Sequence, residues 1–295
     1  MPTAPMDALA QVAAWPVDRA AVAVLRFDPP SGDRATGAVE PVGVTGDTGQ
    51  PFRWASVTKP ATALATLVAV EEGTLSLDQP AGPSGSTVRH LLAHTSGLGP
   101  EGGQPAAPGA RRLYSNAGYE LLADLIAERS GLSFGDYLGQ AVLGPLGMTG
   151  TTLDPDAVEG SGAAGLLGPL ADLVALGAEW AVPTLISVET HRDATSVQFP
   201  GRAGVLPGFQ RFDPCDWGLG VEIRDHKHPH WTGSANSPRT YGHFGRSGTF
   251  VWVDPQAGVV CAGFGDRPFG PWSVRAWPVL SDSVLSELAA GGPAG

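Results

Sequence analysis

The first sustained hydrophobic run is Ala20–Phe27, AAVAVLRF, whose aliphatic and β-branched residues predict a strand, and PPSG at 29–32 predicts the turn after it. From Pro60 to Glu72 the pattern changes to helix. Ala, Leu and Val dominate that stretch, and Gly73 sits where a helix stops. Helical segments are also predicted over Val88–Ala93, Ala117–Ser130 and Leu170–Trp180, separated by loops such as GPEGGQPAAPGA. Beyond Phe212 the texture is β. WGLGVEIR, TYGHFG, GTFVWVDP and GVVCAGFGD are short and separated by turn residues, as in an antiparallel meander. A last helix is predicted over roughly Trp272–Ala290. This order implies an α+β fold. Residues 1–75 and 210–295 are expected to form an α/β lobe with an antiparallel sheet flanked by helices, and 76–209 a mainly helical insertion lobe.

The 295 residues, 42% hydrophobic and only 16% charged, are enough to bury a large core. The 41 Gly and 27 Pro are scattered between apolar segments, so they mark turns rather than low complexity. A net charge of -11, with 18 dispersed Lys and Arg, leaves no basic stripe for a phosphate backbone and excludes nucleic acid as a partner. The N-terminal stretch has no Lys or Arg ahead of its apolar part, and Asp7, Asp18 and Arg19 interrupt it. Neither a signal peptide nor a membrane span is expected, which points to the cytoplasm. Cys215 and Cys261 read as separate core thiols rather than a disulfide. Composition leaves the oligomeric state open.

Candidate chemistry begins in RWASVTKPATAL. Pro60 is tolerated only near a helix start, so Ser56 to Lys59 should form the first turn and share a face. A serine hydroxyl becomes a nucleophile when a neighbouring base takes its proton, and a desolvated lysine can serve. S-x-x-K alone is frequent by chance, and a capping serine beside a snorkelling lysine is the simpler reading. Two further motifs follow in order: LYSNAGY, with Tyr114 and Asn116 before a helix, and YGHFGRSG, with His243, Phe244 and Gly245 in a strand.

S-x-x-K, S-D-N and K-T-G in that order mark class A β-lactamases and penicillin-binding proteins. The variant here, S-x-x-K, Y-x-N and H-x-G, resembles the class C β-lactamase, D-alanyl-D-alanine carboxypeptidase and family VIII carboxylesterase branch of the serine β-lactamase-like superfamily. LSLDQPAG…STVRHLLAHTSGLG, Leu75 to Gly99, is similar to that family too. The resemblance runs from about Ala20 to Asp266 and implies a β-lactamase/transpeptidase-like fold. It also implies roles: Ser56 as acylated nucleophile, Lys59 as base or relay, and Tyr114 passing the proton to the leaving group. A tyrosine, with a reference pKa of about 10, needs a cation such as Lys59 beside it to ionise near neutrality. Asn116 would hold Lys59 and the substrate, and the N–H groups of Ser56 and Arg246, just after Gly245, would form the oxyanion hole.

The implied activity is a serine hydrolase acting through an acyl-enzyme on a small ester or amide, with no metal or organic cofactor. A carboxylesterase is favoured over a β-lactamase, a D-alanyl peptide hydrolase or an acyltransferase; a retired ligand-binding fold is the alternative without turnover. His243 stands where K-T-G enzymes carry a charged lysine, and its reference pKa of about 6.5 leaves it mostly neutral at pH 7.5 and charging towards pH 6. A carboxylate anchor is thereby weakened, and Phe244 removes a hydroxyl donor as well. His226, His228 and His230 in RDHKHPH read as a solvated loop rather than a metal clip, because no acidic or cysteine companion stands at a recognised spacing. His94 reads as structural, while Trp217 and Trp231 are candidate pocket walls.

Overall fold

Small and β-branched residues fill Ala20–Phe27, and in the computed structural model this run forms the strand expected of it. The structure describes residues 6–28, 37–154 and 161–290, so the turn expected at 29–32 lies outside the described residues. In chain order the strands are β1 (Ala20–Phe27), β2 (Val39–Thr45), β3 (Pro51–Arg53), β4 (Thr152–Leu153), β5 (Leu166–Pro169), β6 (Gly204–Val205), β7 (Arg211–Phe212), β8 (Glu222–Ile223), β9 (Tyr241–Gly245), β10 (Thr249–Asp254) and β11 (Val259–Gly265). The helices are α1 (Thr58–Glu71), α2 (Val88–Leu92), α3 (Asn116–Ser130), α4 (Phe134–Leu138), α5 (Ser161–Ala164), α6 (Leu170–Ala181), α7 (Val188–Ala194) and α8 (Pro271–Ala290). No helix among the described residues is long and apolar enough to cross a membrane.

The main sheet has six strands in the order β2-β1-β11-β10-β9-β8, and every pairing in it is antiparallel. Successive side chains alternate between its faces. Ala21, Ala23, Leu25 and Phe27 of β1, Val251 and Val253 of β10, and Val260, Ala262 and Phe264 of β11 enter one hydrophobic cluster. Val22, Val24, Phe250, Trp252 and Cys261 enter the other. Helices cover both faces, so β10 and β11 are buried along their whole length and carry no polar face. Helix α8 and the 3-10 helix Asp7–Ala14 supply Trp272, Trp277, Leu280, Leu9 and Val12 to the second cluster. Both cysteines are free and buried.

Helix α6 belongs to the middle of the chain, yet it packs on β11, β1 and β10 of the main sheet. Gly177 permits the close approach, since a Cβ there would meet Val260 Cγ1 at 2.9 Å and Val251 Cγ2 at 3.1 Å. WGLGVEIR is the other departure from expectation, because only Glu222–Ile223 joins the ladder. The stretch doubles back, with Gly218 N–H donating to Val221 O at 2.9 Å and Trp217 bridging Glu222. Gly220, at φ 98°, passes so close to α1 that a Cβ would lie 2.2 Å from that of Ala63.

Gly177→Leu is expected to lever α6 off the sheet and lower stability by about 1–3 kcal/mol, the usual cost of overpacking. Urea unfolding measures it; an unchanged midpoint would show that the helix is not seated as described.

Candidate active site

Residues 55–57 form a single 3-10 turn that runs into α1, which places Ser56 half-buried at the helix entrance. Ala55 has φ 47°, in the left-handed region that non-glycine residues rarely occupy. Such strain persists only where the surroundings over-determine it. Strand β9 provides that constraint. A Cβ on Gly245 would lie 2.4 Å from both Trp54 O and Thr249 Oγ1, and the Thr249 hydroxyl donates to Trp54 O at 2.8 Å. The end of β9 therefore abuts the turn. Ser56 and Arg246 line one cavity as a result.

Lys59 is fully buried, one turn along from Ser56. Its ammonium donates to Asn116 Oδ1 at 2.8 Å and to Ala163 O, in α5, at 2.9 Å. It also lies 4.8 Å from the centre of the Tyr114 ring and 5.5 Å from that of Tyr119. Asn116 is free to serve because Ser115, not Asn116, caps α3: the Ser115 hydroxyl accepts from Gly118 N–H at 3.0 Å and donates to Gly99 O at 2.8 Å. The segment carrying Tyr114 is held from two further sides. His94 O accepts from Leu113 N–H at 2.8 Å, and His94 Nδ1 accepts from Ser115 N–H at 3.1 Å. The buried Arg112 guanidinium donates to the carbonyls of Ala93, Cys215 and Gln198. Burial lowers its pKa to about 10, so it stays charged at neutral pH.

His94 sits at a helix end, as a structural residue would, yet its ring is 4.6 Å from Tyr114 and 4.7 Å from Trp217. Burial first, then the Lys59 cation, lowers its pKa well below the usual histidine range. With Nδ1 accepting, the proton of this neutral ring is on Nε2. His243 has the opposite tautomer. Its Nδ1 contacts Phe244 O at 2.8 Å and must donate to that carbonyl. Burial and Lys59 bring its pKa down to about 3, so it does not charge towards pH 6 as its reference value suggested. The alternation of β9 sends His243 towards Tyr114 and Trp217, with ring centres 5.9 and 5.5 Å away, and Phe244 towards Phe269 and Trp277, with ring centres 4.7 and 6.2 Å away.

The histidine loop needs correcting in part. His226 and His228 are exposed, but His230 is 4% exposed and Lys227 3%. Both turn inward to Glu222, with Lys227 Nζ 2.7 Å from Oε1 and His230 Nε2 2.9 Å from Oε2. Burial pushes the Glu222 pKa up, and Lys227 and His230 outweigh it, bringing the carboxyl to about 2. Trp231 donates its indole N–H to Glu222 Oε2 at 3.1 Å and does not line the cavity, whereas Trp217 does. A lone acid on the inward side of a short strand was the available signal, visible only once the register of β8 is known.

Ser56, Tyr114, Asn116, His243 and Arg246 all line a cavity of about 630 Å³, with Lys59 just beneath it. Sequence reasoning missed one wall of this cavity. It comes from residues 203–211, where β6 and β7 form a hairpin beside Arg112. The Pro207-Gly208 dipeptide is the turn signal that could have located it.

A strained serine turn on a helix that carries a buried lysine, abutting one end of an antiparallel sheet, is the architecture of the β-lactamase-fold serine hydrolases. The chain belongs to the β-lactamase family, whose model matches residues 19–283. A β-lactamase from Mycobacterium bovis is similar at 48% identity, with a TM-score of 0.88 over 95% of this chain and 99% of that one. The fold is shared with EstCE1, a hydrolase with promiscuous acyltransferase activity, at 17% identity and TM-score 0.73 over 94% of this chain and 96% of that one. Penicillin-binding protein 4* of Bacillus subtilis is 33% identical over 134 residues, a match spanning 34% of this chain and 30% of that protein.

The depressed His243 pKa has a consequence for stability. An unfolded chain, with its histidine near 6.5, takes up the proton first as pH falls. The stabilisation present above about pH 6.5 is therefore lost progressively on the way down to about pH 3. His243→Asn cannot titrate and is expected to flatten the fall in unfolding free energy between about pH 6.5 and 5, by at most about 1.4 kcal/mol per pH unit. Urea melts at several pH values measure this. An unaltered slope would assign the effect to His94, His191 and His230, whose pKa values are also lowered.

Proposed function

We propose that the protein is a carboxylesterase-type serine hydrolase that works through an acyl-enzyme on Ser56. The observation that carries this reading is Lys59, buried beneath the cavity with Asn116 and the Tyr114 ring around its nitrogen. Its bonds to Asn116 and Ala163 fix the nitrogen beside Tyr114, where it can take part in the proton exchange with Ser56 and Tyr114. Ser56 Oγ attacks the ester carbonyl carbon while its proton passes to the Lys59–Tyr114 unit. The Ser56 and Arg246 N–H groups take the developing oxyanion. As the carbonyl re-forms, the bond to the alcohol breaks, and the alcohol oxygen leaves with that proton. Water then repeats the sequence on the acyl-serine, releasing the acid and restoring Ser56.

Preference for esters over β-lactams rests on His243, a neutral ring where K-T-G enzymes present a cation. The second reading is a β-lactamase, favoured by 48% identity to a protein of that description. A fluorophosphonate is expected to add one equivalent, mapped by peptide mass to Ser56; a label on another serine would sink the assignment. Tyr114→Phe and Lys59→Ala should each lower turnover by about 10²–10⁴, with the double variant little worse than either, because they act as one relay. Additive losses would count against the relay. At pH 8, p-nitrophenyl butyrate should be turned over far faster than nitrocefin, and the ratio should not shift at pH 6, since His243 stays neutral throughout. Nitrocefin equal to or faster than the ester at pH 8 promotes the second reading.

A further inference from the structure

At about 630 Å³ the cavity is far larger than an acetyl or butyryl ester requires, and lies within the range of sites that enclose a drug-sized ligand. One of its walls is apolar: Phe244, Phe269, Leu206, Pro207 and Gly208. The rings of Phe244 and Phe269 are 4.7 Å apart, and Trp277 backs Phe269 at 5.4 Å. The hairpin tip closes on the same ring. Gly208 has φ 79°, and a Cβ there would come within 2.5 Å of Phe269 Cε1. Phe269 N–H donates to Arg246 O at 2.9 Å, so this wall is tied to the residue whose own N–H faces the reacting carbonyl in the proposed function. Phe244 and Phe269 remain only partly buried, with open cavity against them.

We propose that this wall is the binding site for a bulky apolar group flanking the ester carbonyl, an aromatic ring or a medium-length alkyl chain, and that Phe269 sets its length. The proposal rests on the ester-hydrolase reading and deepens it. Each methylene seated on the wall should raise kcat/KM by about fourfold until the chain reaches Phe269. Truncating Phe269 lengthens the site, and a larger ring at 269 shortens it. A methyl group on Gly208 pushes against Phe269 and also strains a left-handed backbone, so Gly208→Ala should act in the same direction as the larger ring.

The experiment measures kcat/KM for p-nitrophenyl esters from acetate to octanoate, and for acetate esters of alcohols from ethyl to octyl, with wild type, Phe269→Ala, Phe269→Trp and Gly208→Ala. Fluorophosphonate labelling of Ser56 and thermal melting are recorded for each. The expected result is a rise with chain length in at least one series. In that series Phe269→Ala should raise the octyl-to-butyl ratio about tenfold or more, and Phe269→Trp and Gly208→Ala should lower it. Which series responds assigns the group to the acyl or the alcohol side. If Phe269→Ala melts below the assay temperature, Phe269→Leu replaces it and should shift the ratio in the same sense. Ratios that stay constant across all variants, in protein that labels at Ser56, overturn the proposal and leave the hydrolase reading standing. Folded wild type that does not label at Ser56 overturns the hydrolase reading instead.

Discussion

A buried ammonium is the constraint on which the rest of the site depends. Lys59 has no exposed surface, and a charge taken out of water must be met by hydrogen-bond acceptors or it is expelled. Its acceptors come from α3 and α5, remote in sequence from α1 that carries it. Three segments must therefore be held within hydrogen-bond tolerance of one nitrogen. Much of the polar structure nearby serves that end. Ser115 caps α3, His94 grips the chain on either side of Tyr114, and Arg112 ties the same segment to three carbonyls. Glu120 adds another tie, accepting from Ala163 N–H at 2.7 Å, so the carbonyl that meets Lys59 belongs to a residue fixed through its own N–H.

One buried cation does not tolerate a second nearby, and this sets the protonation of the surrounding rings. His94 and His243 both have Lys59 among the causes of their lowered pKa, after burial. They consequently act as neutral, directional groups, one with its proton on Nε2 and the other on Nδ1. Arg112, lowered by burial only to about 10, keeps its charge, with Nε, Nη1 and Nη2 each donating to a carbonyl. The Glu222 carboxylate, also on the cavity wall, is balanced by Lys227 and His230 behind it, so the wall presents little net charge there.

The β9 strand divides the cavity chemically. Its two-residue period points His243 towards Tyr114 and Phe244 towards the aromatic cluster that includes Phe269 and Trp277. The polar and the apolar lining of the cavity thus meet at adjacent residues of one strand. Family membership and 48% identity to a β-lactamase establish the scaffold and the serine-hydrolase class. What the cavity accepts is a separate matter; the hairpin and the Phe269 ring it rests on form one of its walls.

The sequence by itself determined most of the elements and the order of the candidate site residues. Ala20–Phe27 is a strand because its composition permits little else, and Ser56, Lys59, Tyr114 and Asn116 were legible because S-x-x-K and Y-x-N are local spacings at helix entrances. Only the tertiary structure decided the rest. Ser115 caps α3, which leaves the Asn116 side chain to accept from Lys59, a residue 57 positions earlier in the chain. RDHKHPH has the composition of a solvated turn, yet Lys227 and His230 went inside because Glu222, on β8, was already buried and required partners. The His243 pKa of about 3 arises from burial and from a lysine 184 positions away in the chain. A side chain's spacing to its neighbours in sequence is a local property, whereas its dielectric surroundings and its charged neighbours are assembled by distant segments, and those exist only in the folded molecule.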